Sequence, residues 1–178
     1  MEKKRIGAFV GKFYPPHIGH LSVVDNALKH FDEIYVIISK NDIRNNQIKT
    51  DQKFAVLSAE LIKSWFEKHY ANQPKVKVAI FDESEFRPYP EDVDKWSEKF
   101  KKEFPMINTK IADAGYRDFN KKYFPDYDFY EIDREKIPVH ATMLRNDMQS
   151  NLQNLIPEAR EYFEKRWIYE DIFSRTIL

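Results

Sequence analysis

Gly11-Lys12-Phe13-Tyr14-Pro15-Pro16-His17-Ile18-Gly19-His20 joins two different hydrophobic periods. Before it runs Ile6-Gly7-Ala8-Phe9-Val10, a short apolar segment of strand type. After it Leu21, Val24, Leu28 and Phe31 recur at three- and four-residue spacing, one face of an amphipathic helix. The stretch therefore reads as the turn from a buried strand into a crossover helix. Three of the chain's four glycines, Gly7, Gly11 and Gly19, fall in this strand and turn. A helix N-terminus offers unpaired backbone N–H groups and the positive end of a dipole, which favour an anion. His17 and His20, three residues apart, are expected side by side on the first helical turn. Gly19 between them omits a side chain where a phosphate would approach the backbone, and Lys12 adds a mobile positive charge.

Working outward, Ile34 to Ile38 and Val76 to Phe81 repeat the strand pattern, with weaker candidates near Thr109 to Ala112 and Tyr127 to Ile132. Phe54, Leu57, Leu61 and Trp65 give a second crossover helix before the third strand. Further helices are expected at about Glu91 to Glu103, Tyr116 to Tyr123, Thr142 to Gln149, and from Pro157, a first-turn proline, to about Phe173. This βαβ rhythm predicts an α/β fold, a Rossmann-like doubly wound parallel sheet of about five strands with helices on both faces. Prolines at 74, 88, 90, 105, 125 and 138 punctuate elements, so residues 1–178 read as one domain with a C-terminal helical segment at about 157–173. Lys40 to Asp51, rich in Asn, Asp and Lys, is the longest loop without a pattern, equally a lid or a solvated surface.

Composition narrows the function classes. The 29 Lys and Arg balance 29 Asp and Glu, so no global positive field is available to hold nucleic acid or an anionic bilayer. Phosphate binding must be local. The absence of cysteine excludes disulfides and thiolate metal sites and suits a reducing cytoplasm. No apolar run approaches the roughly 18 residues a spanning helix needs, and Ile6 to Val10 is too short for a signal h-region. The expectation is a cytoplasmic protein without nucleic-acid or membrane partners.

The turn itself disfavours a zinc site and excludes a Walker loop. A helical zinc site uses His at i and i+4 with Glu between, which His17 and His20 do not provide. A Walker loop needs Ser or Thr after Gly-Lys, where Phe13 stands, and the first turn lacks the G-x-G-x-x-G dinucleotide fingerprint.

The His-x-Gly-His element at residues 17 to 20 resembles the signature of the nucleotidyltransferase superfamily, which class I aminoacyl-tRNA synthetases share. Ile137-Pro138-Val139-His140-Ala141-Thr142-Met143-Leu144-Arg145 resembles its second signature, a Ser-x-Thr-x-x-Arg type sequence opening a late helix. Within the superfamily the chain is similar to the nicotinamide mononucleotide (NMN) adenylyltransferase domain of bifunctional NMN adenylyltransferase/ribosylnicotinamide kinase proteins. Gly11-Lys12-Phe13-Tyr14-Pro15, the Asn41-Asp42-Ile43-Arg44 loop, and Pro88-Tyr89-Pro90 with Trp96 carry that similarity across residues 5 to 165. No Walker sequence occurs up to Leu178, so the resemblance implies the transferase part without the kinase. The chain departs from the family at His140, at Ala112-Asp113-Ala114-Gly115, and at Asp92 and Val93.

The resemblance implies adenylyl transfer from ATP to NMN, giving NAD and pyrophosphate, with Mg²⁺ accompanying ATP. His17, His20, Lys12 and Arg145 would be catalytic; Gly11, Phe13, Gly19, Thr142 and Arg44 would bind ATP, with Thr142 capping the late helix. Tyr14, Tyr89 and Trp96 would contact NMN, and no protein-held metal is expected. A cytidylyltransferase is disfavoured by the missing Arg-Thr-x-Gly-Ile-Ser signature, a pantetheine-phosphate adenylyltransferase by the missing Ser-Phe-Asp-Pro opening, and a synthetase by the missing Lys-Met-Ser-Lys-Ser element. A non-catalytic nucleotide-binding regulatory domain and assembly into homo-oligomers both stay open.

Overall fold

Strand β1 (Ile6–Gly11) lies at the centre of a five-stranded, wholly parallel sheet. β2 (Glu33–Lys40) and β3 (Val76–Asp82) extend it on one side, β4 (Thr109–Asp113) and β5 (Asp128–Ile132) on the other, giving the order β3-β2-β1-β4-β5. The expected strands are all present, each within two residues of its predicted ends. The computed structural model describes residues 4–41, 43, 49, 54, 57–133, 137 and 139–175, with side chains to residue 166.

A parallel sheet must be covered on both faces, because its crossovers place helices there. In β2, Ile34, Val36 and Ile38 enter one core and Ile37 the other, the two-residue alternation that a doubly covered strand imposes. The larger core packs α1 (Ile18–Ala27), α2 (Ala59–His69), α5 (Ala141–Asn146) and α6 (Pro157–Arg175). The smaller one packs α3 (Val93–Glu103) and α4 (Arg117–Tyr123) and is dominated by Phe81, Phe100, Phe104 and Phe124.

Local chemistry sets the helix ends. Ser58 accepts the N–H of Leu61 and caps α2, so Phe54 and Leu57, predicted inside that helix, precede it as buried anchors. α1 stops at Ala27, short of the predicted Phe31, which joins the core from the loop before β2. α5 ends at Asn146, and a separate 3-10 helix, Gln149–Asn154, follows where one helix to Gln149 was expected. Pro157 does open α6.

The sheet reverses its winding between β1 and β4, which pair directly through Gly7↔Thr109, Ala8↔Lys110 and Phe9↔Ile111. Connections leave this point towards opposite sides, so a crevice opens above the carboxyl ends of the two strands.

Candidate active site

The crevice is a cavity of about 570 Å³, a size suited to a small ligand. Its walls come from both helical layers: the β1–α1 turn supplies Gly11, Lys12, Phe13 and His20, while Trp96, Phe119 and Asn120 come from α3 and α4. Residues of β4 form the floor between them.

Phe13 shapes the turn. It takes a left-handed conformation (φ 50°), which a non-glycine residue adopts only where its surroundings hold it there. Its buried ring packs edge-on against Phe9, His20 and Phe66, at centroid distances of 5.3, 4.8 and 5.1 Å. The reversed backbone folds that ring back over Gly11, where an added Cβ would stand 3.1 Å from it. A side chain at Gly11 would press on that ring, which would have to shift by a few tenths of an ångström.

His17 and His20 stack, with ring centroids 3.6 Å apart and planes inclined by 24°. They are not equivalent. His17 is 4% exposed and sits behind the cavity wall, whereas His20 lines the cavity. The His20 ring turns back to accept the His17 backbone N–H at Nδ1 (3.1 Å), so its neutral form carries the proton on Nε2. The helix start thereby orients one imidazole as a donor. Of the two rings expected at a ligand, His20 faces the cavity and His17 stacks behind it.

Gly19 has a packing reason of its own. A Cβ there would come within 2.4 Å of Ile137 Cγ2 and 3.0 Å of His17 Nδ1, so the space is filled by protein. The glycine lets the segment before α5 and the His17 ring press onto α1.

Lys12 lines the cavity and pairs with Glu83, just after β3, at 3.3 Å. The other Glu83 oxygen accepts the Trp96 indole N–H at 3.0 Å. One carboxylate thus fixes a cation and an aromatic ring from opposite sides of the sheet. Trp96 stacks on Phe100 (centroids 5.6 Å, planes 16° apart) and meets Phe81 edge-on, which leaves part of its surface to the cavity. Tyr89 is 70% exposed and does not line the cavity; its ring stands 6.1 Å from Phe119, which does.

Tyr14 points the other way. Its side chain is 2% exposed, its hydroxyl accepts the Leu57 N–H at 2.8 Å, and burial pushes its pKa up. It anchors the segment before α2, because the reversal at Phe13 turns the next side chain into the larger core.

The second signature reaches the first through Arg145. Its guanidinium donates to the Tyr14 carbonyl and, at 3.0 Å, to the Thr142 hydroxyl. The N-cap of α5 is His140, so Thr142 lies inside the helix and does not cap it. Neither Arg145 nor Thr142 lines the cavity. Asp92, one of the departures, accepts the Arg87 backbone N–H and its Nε, which hold its carboxyl well below the usual carboxylate range and fasten the Pro88-Tyr89-Pro90 loop to α3. Asp113 lines the cavity and accepts the Gly115 N–H at 3.0 Å. Arg44 lies outside the described residues, as does most of the Lys40 to Asp51 loop.

Glu83, Phe119, Asn120 and above all Lys110 join the cavity without having been singled out in the sequence. For Lys110 a signal existed. It sits between Thr109 and Ile111 in a strand of a doubly covered sheet, where alternation sends every side chain into one core or the other.

A basic strand-to-helix turn facing an aromatic wall across the switch point of a parallel sheet defines an α/β nucleotide-binding architecture. Residues 8–166 match the family model described as cytidylyltransferase-like, and the chain belongs to this family of nucleotidyltransferases. It is 30% identical over 102 residues to the trifunctional NAD biosynthesis/regulator protein NadR of Escherichia coli K12, covering 57% of this chain and 25% of NadR. It is 43% identical over 58 residues to phosphopantetheine adenylyltransferase of Lactococcus lactis IL1403 (33% and 35% of the two chains). It is also 34% identical over 88 residues to a probable nicotinate-nucleotide adenylyltransferase of Campylobacter jejuni 81116 (48% and 45%). The chain thus spans about a quarter of NadR's length and less than half of the other two relatives'. A crystal structure of NadR protein in complex with NR shares the fold, with a TM-score of 0.70 and 22% identity over 85% of this chain and 43% of that one. Among the described residues no helix is long and apolar enough to cross a membrane.

Proposed function

We propose that the chain transfers an adenylyl group from ATP to the phosphate of a pyridine mononucleotide, releasing pyrophosphate, with NMN the acceptor its sequence resemblance implies and NAD the product. The supporting observation is the cavity at the β1/β4 switch point, which sets His20 and Lys12 on one wall and Trp96 and Phe119 on another.

The chemistry asks little of a base. A phosphate monoester has a second pKa of about 6, so the acceptor oxygen is largely ionised at neutral pH. That oxygen attacks the α-phosphorus, the bond from this phosphorus to the bridging oxygen breaks, and pyrophosphate leaves with the electron pair. The protein's work is to hold two polyanions together and to stabilise charge as it moves at phosphorus. His20 Nε2–H, fixed by the backbone bond at Nδ1, donates to the transferring phosphate. Lys12 exchanges Glu83 for a phosphate oxygen when the nucleotide enters. Arg145 acts by holding the turn at Tyr14, which makes it a positioning residue. Mg²⁺ would enter with ATP as part of the substrate complex and supply positive charge to the triphosphate. Trp96 offers its face to the pyridine ring.

The test is pyrophosphate release from MgATP with NMN, nicotinic acid mononucleotide and pantetheine phosphate as separate acceptors, and CTP as donor control. Release with a pyridine mononucleotide, together with the corresponding dinucleotide, is expected. Release only with pantetheine phosphate or only from CTP would move the chain to another branch of its family. ATP binding without release on any acceptor would make it a sensor.

A further inference from the structure

Lys110 is the least explained group in the molecule. It projects from β4 into the smaller core, with the residue 9% exposed and its side chain reaching the cavity. Its ammonium lies 3.5 Å from the ring centroid of Phe100, 4.3 Å from Phe124 and 5.5 Å from Trp96. Among the described residues it has no hydrogen-bond or ion-pair partner, and burial holds its pKa well below that of an ordinary lysine.

A lysine in this place is poor structural material. Three aromatic faces compensate part of an ammonium's lost hydration but supply no counter-charge. Methionine or leucine would fill the same layer without that cost. The side chain therefore makes sense as half of a pair whose other half arrives with a ligand. Its position shows which part of the ligand that is. Lys110 shares the aromatic wall with Trp96, on the α3 and α4 side, whereas the groups suited to phosphate, Lys12 and His20, come from the β1–α1 turn.

We propose that Lys110 reads the ring substituent of the acceptor, and that it selects a pyridine mononucleotide bearing a carboxylate over one bearing a carboxamide. The inference rests on the reading of the cavity as a pyridine mononucleotide site, and within that reading it moves the preferred acceptor from the NMN implied by the sequence resemblance to its acid analogue. A pyridinium ring already carries one positive charge. With a carboxamide, that charge and an ammonium would face each other across a desolvated wall; a carboxylate neutralises the ring system and gives the ammonium a charge-assisted acceptor. The other titratable groups lining the cavity are Lys12, Glu83, Asp113, His20 and Tyr116. Lys101, over the Phe124 ring at 5.3 Å, is a further cation in contact with the same aromatic group. Lys12 and Glu83 are engaged with each other, and Asp113 with the backbone of the following turn.

The experiment compares kcat/KM for nicotinic acid mononucleotide and NMN, with MgATP saturating, in the wild type and in Lys110→Met. The wild type is expected to favour the acid by about tenfold or more. The variant should lose roughly 30-fold or more on the acid while changing about threefold or less on the amide, since truncating one member of a buried charged pair penalises the ligand that needs it. A wild type with equal rates on both acceptors, or a preference for the amide, overturns the proposal whatever the variant does. So does a Lys110→Met protein that melts normally and keeps the wild-type ratio. Turnover on neither pyridine nucleotide overturns the underlying reading itself, an outcome distinct from turnover on both without discrimination.

Discussion

Gly19→Ala sets two opposed effects against each other. Alanine is favoured over glycine inside a helix by about 1 kcal/mol, so propensity alone predicts a more stable protein. Packing predicts the reverse. The new Cβ would stand 2.4 Å from Ile137 Cγ2 and 3.0 Å from His17 Nδ1, against a comfortable separation of about 3.5–4.0 Å between carbon atoms. Cγ2 hangs directly from the Ile137 Cβ, so no flexible side-chain end can swing away and the clash passes into backbone. Overpacking of this kind costs typically about 1–3 kcal/mol, and a contact more than about 1 Å short belongs near the upper end. The net expectation is a loss of about 1–2 kcal/mol in urea unfolding followed by tryptophan fluorescence, with reduced turnover because His17 carries its stacked partner with it. Ile137→Ala removes the clashing methyl. In that background Gly19→Ala should be neutral or stabilising, a coupling of at least about 1 kcal/mol in the double-mutant cycle. A Gly19→Ala protein more stable than wild type, with effects that simply add to those of Ile137→Ala, would refute the packing argument and return Gly19 to a ligand role.

His20→Ala removes the facing donor and should lower kcat by about 10²–10⁴-fold with little change in urea midpoint; near-wild-type turnover would remove His20 from the chemistry. Arg145→Met breaks the tether between the two signatures and should cost about 1.5–3 kcal/mol in the same unfolding assay, as for a hydrogen bond to a charged group, whereas Thr142→Ala at its exposed position should stay within about 0.5 kcal/mol. Because Lys110 binds its proton less tightly when folded than unfolded, the unfolded state holds more protons between the lowered pKa and the ordinary one. Stability is therefore lowest below the folded pKa and rises as pH climbs towards about 10.4, with a slope of at most about 1.4 kcal/mol per pH unit from this residue. Denaturant midpoints measured from neutral to alkaline pH should show a rising contribution that Lys110→Met abolishes.

The elements legible in the sequence were those whose patterns are local. β1, the turn and α1 announce themselves because apolar period, scarce glycine and a histidine pair coincide within fifteen residues, and the crossover order followed from alternating strand and helix periods. What failed was direction. Tyr14 and Trp96 carry equal aromatic weight in the sequence, yet the left-handed backbone at Phe13 sends Tyr14 into the core while the α3 register leaves Trp96 at the cavity. Nothing in residue type announces that reversal, since non-glycine residues rarely adopt it. Arg145 was legible as part of a signature but not as a tether, because its partner is a backbone carbonyl 131 residues earlier.

Charge placement completes the argument about binding. With 29 basic and 29 acidic residues the protein has no net field with which to attract an anion from afar, so affinity has to be built at contact range. The cavity does this by pairing. Lys12 is paired with one Glu83 oxygen while the other is bonded to Trp96, so on the proposed reading a phosphate would compete for Lys12 without releasing the indole. This pairing keeps the Lys12 ammonium from facing the cavity without a counter-charge. Lys110 follows the opposite logic: it has no partner to exchange among the described residues, and burial lowers its pKa. A polyphosphate can compete for the first cation through its density of charge. On the proposed reading, a ligand whose aromatic end carries its own negative group engages the second.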